Sequence, residues 1–362
     1  MHDNNLRIGI DGRCLEGKLT GIGRYVYELC RVIDQQITGA EFFVYSRTSL
    51  NVPLFSGRWH SRVEPIKYFR RLKGNLWLKL RCGVLAQRDN LDFFWGNATL
   101  LPRLGRGIRS ISTVHDLNYQ IVPETMGTAN LWAFKLFFRR DVLKADVVLS
   151  NSCGTARRLK EFLGRNSNEI IYPAINSSFS IPNSSLIHAT LQKHCIQGPY
   201  HLSVATWEPR KNLELLIHAY IDLKLAGQLP DHQLVLAGGK GWKDDKLRTL
   251  LNNAPPNTII PLGYVDDADL PSLYAGATAF VFPSIYEGFG IPLLEARACG
   301  TNVIASDIPE LRESGGDAIF IQPTKEGIQK GLILSLTATR REPGILPSWD
   351  AEGRKLVEVF YS

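Results

Sequence analysis

Short apolar runs alternate along this chain with helical stretches. LRIGI (6–10), FFVY (42–45), DFFW (92–95), IRSISTV (108–114), DVVLS (146–150) and IIYP (170–173) form a first series. HLSVAT (201–206), QLVLAG (233–238), TIIPLG (258–263), AFVFPS (279–284), NVIAS (302–306) and AIFIQP (318–323) form a second. Continuously apolar strands with helices between them predict parallel sheets covered on both faces, an α/β architecture. Between the two series lies the polar, serine-rich INSSFSIPNSS (175–185), which reads as a linker. The predicted organisation is a doubly wound domain over 1–178, a linker over 179–198 and a second doubly wound domain over 199–342. In such sheets ligands bind beyond the carboxyl ends of the strands, and two facing sheets would create a cleft.

Composition refines this picture in three places. The 362 residues are 44% hydrophobic and 21% charged, values of a globular chain of two ordinary domains. No apolar run approaches the roughly 20 residues of a membrane helix, and the charged start MHDNNLRIGID lacks the apolar core of a secretory signal. Cys14, Cys30, Cys82, Cys153, Cys195 and Cys299 are scattered without a C-x-x-C, the pattern of reduced thiols in a cytoplasmic protein.

Charge is unevenly spread. Residues 1–180 carry 26 Lys+Arg against 15 Asp+Glu, a net of +11; the rest carries 16 against 20, a net of −4. A basic front half suggests an anionic partner. No zinc-finger spacing or aromatic RNA-binding motif supports nucleic acid, so none is expected.

Unusual residues cluster just past strand ends. Gly21 and Gly23 open a helix after the first strand. His115-Asp116 follows ISTV. Trp207-Glu208-Pro209-Arg210-Lys211-Asn212 follows HLSVAT, and SIYEGFGIPLLEARACG (284–300) follows AFVF. Taken singly, most have plainer readings: a turn and helix start for Gly21 and Gly23, a core histidine for His115, a solvated charge pair for Arg210 and Lys211. The aspartates of VDDADL (265–270) read as a helix N-cap and first-turn acids, and no metal site is expected.

The stretch around Glu287 is harder to read as scaffolding. Gly288 and Gly290 let the backbone approach a ligand, and Pro292 suits the first turn of a helix. Amides from Phe289 to Leu293, with Ile291 among them, would then form an anion site at a helix N-terminus. A carboxylate accepts two hydrogen bonds, which fits a vicinal diol. Glu295, placed in the first helical turn, would grip a ribose, and Glu287 the hydroxyls of a second sugar. Phosphates between them would meet the loop amides and Arg210 and Lys211. This layout matches sugar–diphosphate–ribose–base.

The motif E-G-F-G-x-P-x-x-E over Glu287–Glu295 resembles the signature of the retaining GT-B glycosyltransferases of family 4. TGIGRY (20–25), STVHDL (112–117) and EPRKNLELLIHAY (208–220) extend the resemblance over most of the chain. It implies two Rossmann-like domains facing across a cleft, an acceptor-binding N-terminal one and a nucleotide-sugar-binding C-terminal one. It also implies a tail helix, 343–362, returning to the N-terminal domain. Glu295 would hold the donor ribose and Glu287 sugar hydroxyls, beside the Phe289–Ile291 backbone. Lys211 would bind the diphosphate, Tyr264 and Val265 would flank the base, His115 would sit near the transferred sugar, and Gly21 and Gly23 would close over the phosphates. Family members often have Gly-Arg where this chain has Ala205-Thr206; Arg210 is the candidate replacement. Arg297 and Asn302 replace an apolar residue and a proline.

These expectations define a retaining hexosyltransferase of polysaccharide biosynthesis that needs no metal and no cofactor beyond its donor. GDP-mannose is the favoured donor, from resemblance to mannosyltransferases of surface-polysaccharide assembly, with a glycan or lipid-linked oligosaccharide as acceptor. A phosphorylase, a sugar-nucleotide epimerase or a non-catalytic sugar-nucleotide-binding subunit would share the architecture. The expected location is cytoplasmic, peripheral on the inner face of the membrane. There the basic amphipathic stretches YFRRLKGNLWLKLR (68–81) and LWAFKLFFRRDVLK (131–144) would meet an anionic surface.

Overall fold

The computed structural model describes residues 6–239, 241, 245–340 and 342–362. The chain forms two compact units, one comprising the residues up to Ala174 with Pro347–Ser362, the other Ile175–Leu346.

The first unit is built on β1 (Arg7–Asp11), β2 (Glu41–Ser46), β3 (Trp59–Val63), β4 (Phe93–Gly96), β5 (Arg109–Val114), β6 (Val147–Ser150) and β7 (Glu169–Ile170). They form one parallel sheet in the order β3-β2-β1-β4-β5-β6-β7. Successive residues of a strand point to opposite faces, so β2 feeds two cores. Phe42 and Val44 pack with Ile8, Ile10 and the helix Gly21–Gln36, whereas Phe43 and Tyr45 pack with Trp77, Phe94 and Phe138. The closing helix Trp349–Tyr361 lies on the Gly21–Gln36 helix, and Glu352 accepts the Tyr172 amide at 2.8 Å.

The second unit contains β8 (Tyr200–Val204), β9 (Gln233–Ala237), β10 (Ile259–Gly263), β11 (Ala279–Phe282), β12 (Val303–Ser306) and β13 (Ile319–Ile321). Their order is β10-β9-β8-β11-β12-β13, again parallel. The alternation recurs here: Leu202, Val235, Phe280 and Phe282 line one core, and Leu234, Leu236, Val281 and Ile304 the other.

Three expectations change. β3 is a strand that the apolar pattern does not reveal, because it lies at the sheet edge and buries Trp59 alone. IIYP contributes only its first residue to a strand, the two-residue β7. The segment 179–198 is no linker. It contains the helix Ser184–Lys193, capped by Asn183 Oδ1 on the Leu186 amide at 2.8 Å and packed on the helix Leu270–Gly276. Phe179 and Ile196, on either side of it, enter the second unit's core. A cap and two apolar anchors outweigh the local excess of serine and asparagine.

Candidate active site

In each sheet the strand order reverses about one point, between β1 and β4 in the first unit and between β8 and β11 in the second. Loops leaving the carboxyl ends of two adjacent parallel strands diverge there, which makes the crevice where doubly wound folds bind ligands. In the second unit those loops carry Arg210-Lys211 and Glu287.

After β8 the chain makes a short 3-10 turn, Pro209–Lys211, and stops at Asn212 with φ +58° before the helix Leu213–Leu225. Asn212 Nδ2 donates to the carbonyls of Pro283 and Pro323 at 3.2 and 3.3 Å, and the Ile285 backbone N–H donates to Arg210 O at 2.9 Å. These bonds lock the two loops together. Glu287 thereby accepts Lys211 Nζ on Oε1 at 2.6 Å and Arg210 NH1 on Oε2 at 2.5 Å. Lys211 Nζ also lies 4.8 Å from the centre of the Phe282 ring at the end of β11, a cation–π contact.

All three side chains are largely withdrawn from water: 7% of Glu287, 12% of Lys211 and 18% of Arg210 remains accessible. Burial acts to raise the Glu287 pKa, but the two cations and their hydrogen bonds dominate and hold it at about 2. Burial and then Arg210 lower the pKa of Lys211, against the opposing pull of Glu287. Both cations share Glu287, and Glu208 Oε2 lies 3.5 Å from the far nitrogen of Arg210.

Gly290 makes the loop possible. Its φ of +93° is in the left-handed region, and an added Cβ would stand 2.6 Å from Leu311 Cδ2. Gly290 caps the helix Ile291–Ala298, so Glu295 is its fifth residue and lies beyond the first turn, a correction to the expected position. The anion site is also narrower than expected. Pro292 has no amide, and the Leu293 amide donates to Gly290 O at 3.0 Å. Ser314 Oγ steadies this loop by donating to Phe289 O at 2.6 Å.

Glu295 is buried and accepts Tyr274 OH on Oε2 at 2.9 Å. Thr301 Oγ1 in turn donates to the Tyr274 carbonyl at 2.6 Å. Tyr274, Thr301 and Ser314 carry no sequence signal, because each acts through a partner remote in the chain. Past β10, Tyr264 is half exposed while Val265 packs in the core. Asp269 occupies the N-cap position of the Leu270–Gly276 helix without a side-chain cap. Its carboxylate instead holds Lys193 Nζ at 2.6 Å and His194 Nε2 at 2.9 Å. Arg297 and Asn302 each donate to a backbone carbonyl, Arg297 to Ser314 and Asn302 to Ala338.

The first unit holds the remaining candidates. His115, just past β5, is buried; its Nε2 lies 2.6 Å from Asn97 O, and its ring meets Tyr25 edge-on at 5.1 Å. Asn97, past β4, donates to Asp11 O at 2.7 Å, closing the two sides of this unit's switch point. Burial lowers the His115 pKa and favours the neutral ring. Gly21 and Gly23 begin the helix that carries Tyr25. Gly23 has a packing role, since an added Cβ would lie 2.7 Å from Cys14 O.

Two doubly wound units with a cation pair and carboxylates at strand ends define a glycosyltransferase of the GT-B class. Residues 19–179 match the family described as Glycosyltransferase Family 4, and residues 193–337 that described as Glycosyl transferases group 1. The O-antigen chain mannosyltransferase B of Escherichia coli is 32% identical over 316 residues, 83% of this chain and 82% of that protein. The serotype-specific mannosyltransferase WbdA of Escherichia coli is 31% identical over 241 residues, 63% of this chain but 29% of its own length. Among solved structures, Anabaena HepE in complex with UDP and glucose superposes with a TM-score of 0.71. It is 17% identical, and the match covers 99% of this chain and 100% of that one. This chain belongs to glycosyltransferase family 4.

Proposed function

We propose that this glycosyltransferase moves mannose from GDP-mannose to a glycan or lipid-linked oligosaccharide during polysaccharide assembly, with retention at C1 and without a metal ion. The mannosyltransferase names of its relatives support the sugar. The single observation that carries the reaction is the Arg210–Lys211–Glu287 cluster at the ends of β8 and β11. As the bond from C1 to the β-phosphate oxygen breaks, negative charge grows on that phosphate. Arg210 and Lys211 are set to meet it. Two fixed cations in a partly dry site are the preorganised donors that transition-state charge requires.

In this reading Glu287 plays two parts. It holds both cations in place before the donor arrives, and it turns to the hydroxyls of the transferred hexose once the diphosphate takes over the cations. Glu295, oriented by Tyr274, grips the ribose, and Tyr264 flanks the base. His115 and the Gly21–Gly23 helix start are the first unit's contribution, and that unit binds the acceptor. The enzyme works at the membrane that carries a lipid-linked acceptor, on its cytoplasmic side.

The reading is tested with purified protein and a panel of nucleotide sugars. GDP-mannose is expected to raise the melting temperature most, and to yield an α-mannosyl product on a lipid-linked or mannan acceptor. A larger shift with a UDP-sugar sinks the donor assignment. Release of free sugar without acceptor, or dependence on inorganic phosphate, sinks the transfer reaction.

A further inference from the structure

The two basic amphipathic stretches of the first unit are divided by the fold. Three consecutive helical segments, Gly74–Trp77, Leu78–Cys82 and Gly83–Ala86, run from residue 74 to 86. Trp77, Leu78, Cys82 and Leu85 go into the core. Leu76, Leu80 and Val84, four residues apart, stay 45%, 54% and 43% exposed. On the helix Thr128–Lys144, Phe138 and Val142 are buried, while Trp132 and Leu136 are 71% and 69% exposed and Leu143 is 40% exposed. Spacings of four and seven put those three on one stripe.

The two rows belong to one surface. Asn75 Nδ2 donates to Asn130 Oδ1 at 3.4 Å, Lys79 Nζ pairs with Asp141 in the interior, and the same ammonium lies 4.7 Å from the Phe137 ring. Basic residues border the apolar rows: Lys67, Arg70, Arg71 and Lys73 before the first, Lys135, Arg139, Arg140 and Lys144 along the second, all exposed. Acids are missing. Residues 65–88 contain no Asp or Glu, and the single acid of the Thr128–Lys144 helix is the buried Asp141.

We propose that this face seats the first unit on an anionic phospholipid bilayer, with Leu76, Leu80, Trp132 and Leu136 entering the interface and the basic residues among the headgroups. Scattered exposed apolar side chains are ordinary on a protein surface, but contiguous rows framed by cations alone are not. A solvated helix face would mix both signs of charge. Nucleic acid would satisfy the cations but offer no apolar phase to the leucines. A bilayer surface satisfies both, and Trp132 is the residue type that favours its interface. The proposal deepens the reading of a lipid-linked acceptor and rests on it only for its purpose, since binding is measured without donor or acceptor.

The experiment is co-sedimentation of the full chain with vesicles of phosphatidylcholine alone, or mixed equally with phosphatidylglycerol. Binding to the mixed vesicles is expected to be roughly tenfold tighter or more, and to weaken as salt is raised. The triple variant Leu80→Glu, Trp132→Glu, Leu136→Glu is expected to lose this binding while melting like the parent protein. It should still transfer to a short water-soluble acceptor, because none of the three residues belongs to the donor site. Equal binding to both vesicles, undiminished binding by the variant, or binding to duplex DNA as tight as to mixed vesicles each overturns the proposal. Vesicle binding without any transfer activity would refute the proposed reaction and leave the docking surface standing.

Discussion

Lys211 Nζ lies 2.6 Å from Glu287 Oε1, although 76 residues separate them in the chain. The ammonium is withdrawn from water against a carboxylate that also holds Arg210. Lys211→Met keeps the length of the side chain and removes its charge, leaving Glu287 paired with Arg210. Turnover at saturating donor is expected to fall by about 10²–10³, the usual cost of losing one preorganised donor. Glu287→Ala leaves the buried Lys211 without its carboxylate and Arg210 with Glu208 alone, 3.5 Å away, and should cost about 3–5 kcal/mol of stability. Steady-state kinetics and melting curves check both, and a Lys211→Met enzyme with parental turnover refutes the phosphate role.

Glu295→Ala is expected to weaken binding of the nucleotide donor with the fold intact, because the ribose diol loses its acceptor. Tyr274→Phe leaves the carboxylate but frees its orientation. A hydrogen bond to a charged group is worth about 1.5–3 kcal/mol, so donor affinity should drop by roughly ten- to a hundredfold, chiefly in KM rather than kcat. Calorimetry with GDP and GDP-mannose measures both. Unchanged affinity in Glu295→Ala removes the ribose assignment, and unchanged affinity in Tyr274→Phe removes the orienting role.

Activity is expected to survive EDTA. The cations proposed to meet the diphosphate are Arg210 and Lys211, and Asp269, the last aspartate of VDDADL, is engaged with Lys193 and His194. Loss of transfer on chelation, restored by manganese or magnesium, would show that the cluster does not carry the phosphate charge alone.

Acid is expected to destabilise the protein in two stages. His115 is held neutral by burial, its pKa below the ordinary 6.5. Below pH 6.5 the unfolded chain takes up a proton that the folded chain refuses, so stability falls with pH. Glu287 adds stabilisation that is fully present above its ordinary 4.5 and disappears as pH falls toward about 2. Melting curves of the parent and His115→Gln check the first stage. The variant should lose less between pH 7 and pH 5, and identical slopes would contradict a buried neutral imidazole.

Much of this was legible in the sequence, for local reasons. Continuous runs such as QLVLAG and AFVF can only be strands buried on both faces. Gly290 before Pro292 announces a loop that becomes a helix, because a left-handed residue ends one element and a proline suits the first turn of the next. The motif from Glu287 to Glu295 is short enough for its residue types to mark a candidate site. Sheet order was not local. Arg210 and Lys211 meet Glu287 because β8 and β11 are neighbours, and that adjacency follows from how the crossover helices pack. Tyr274 finds Glu295 for the same reason, across the face of one sheet. Tertiary packing also chose between equivalent apolar residues: Trp77 lies in the core and Trp132 in the open, though both stand among lysines, arginines and leucines. A periodic pattern says that a helix has two faces, but only the neighbouring sheet decides which face is covered.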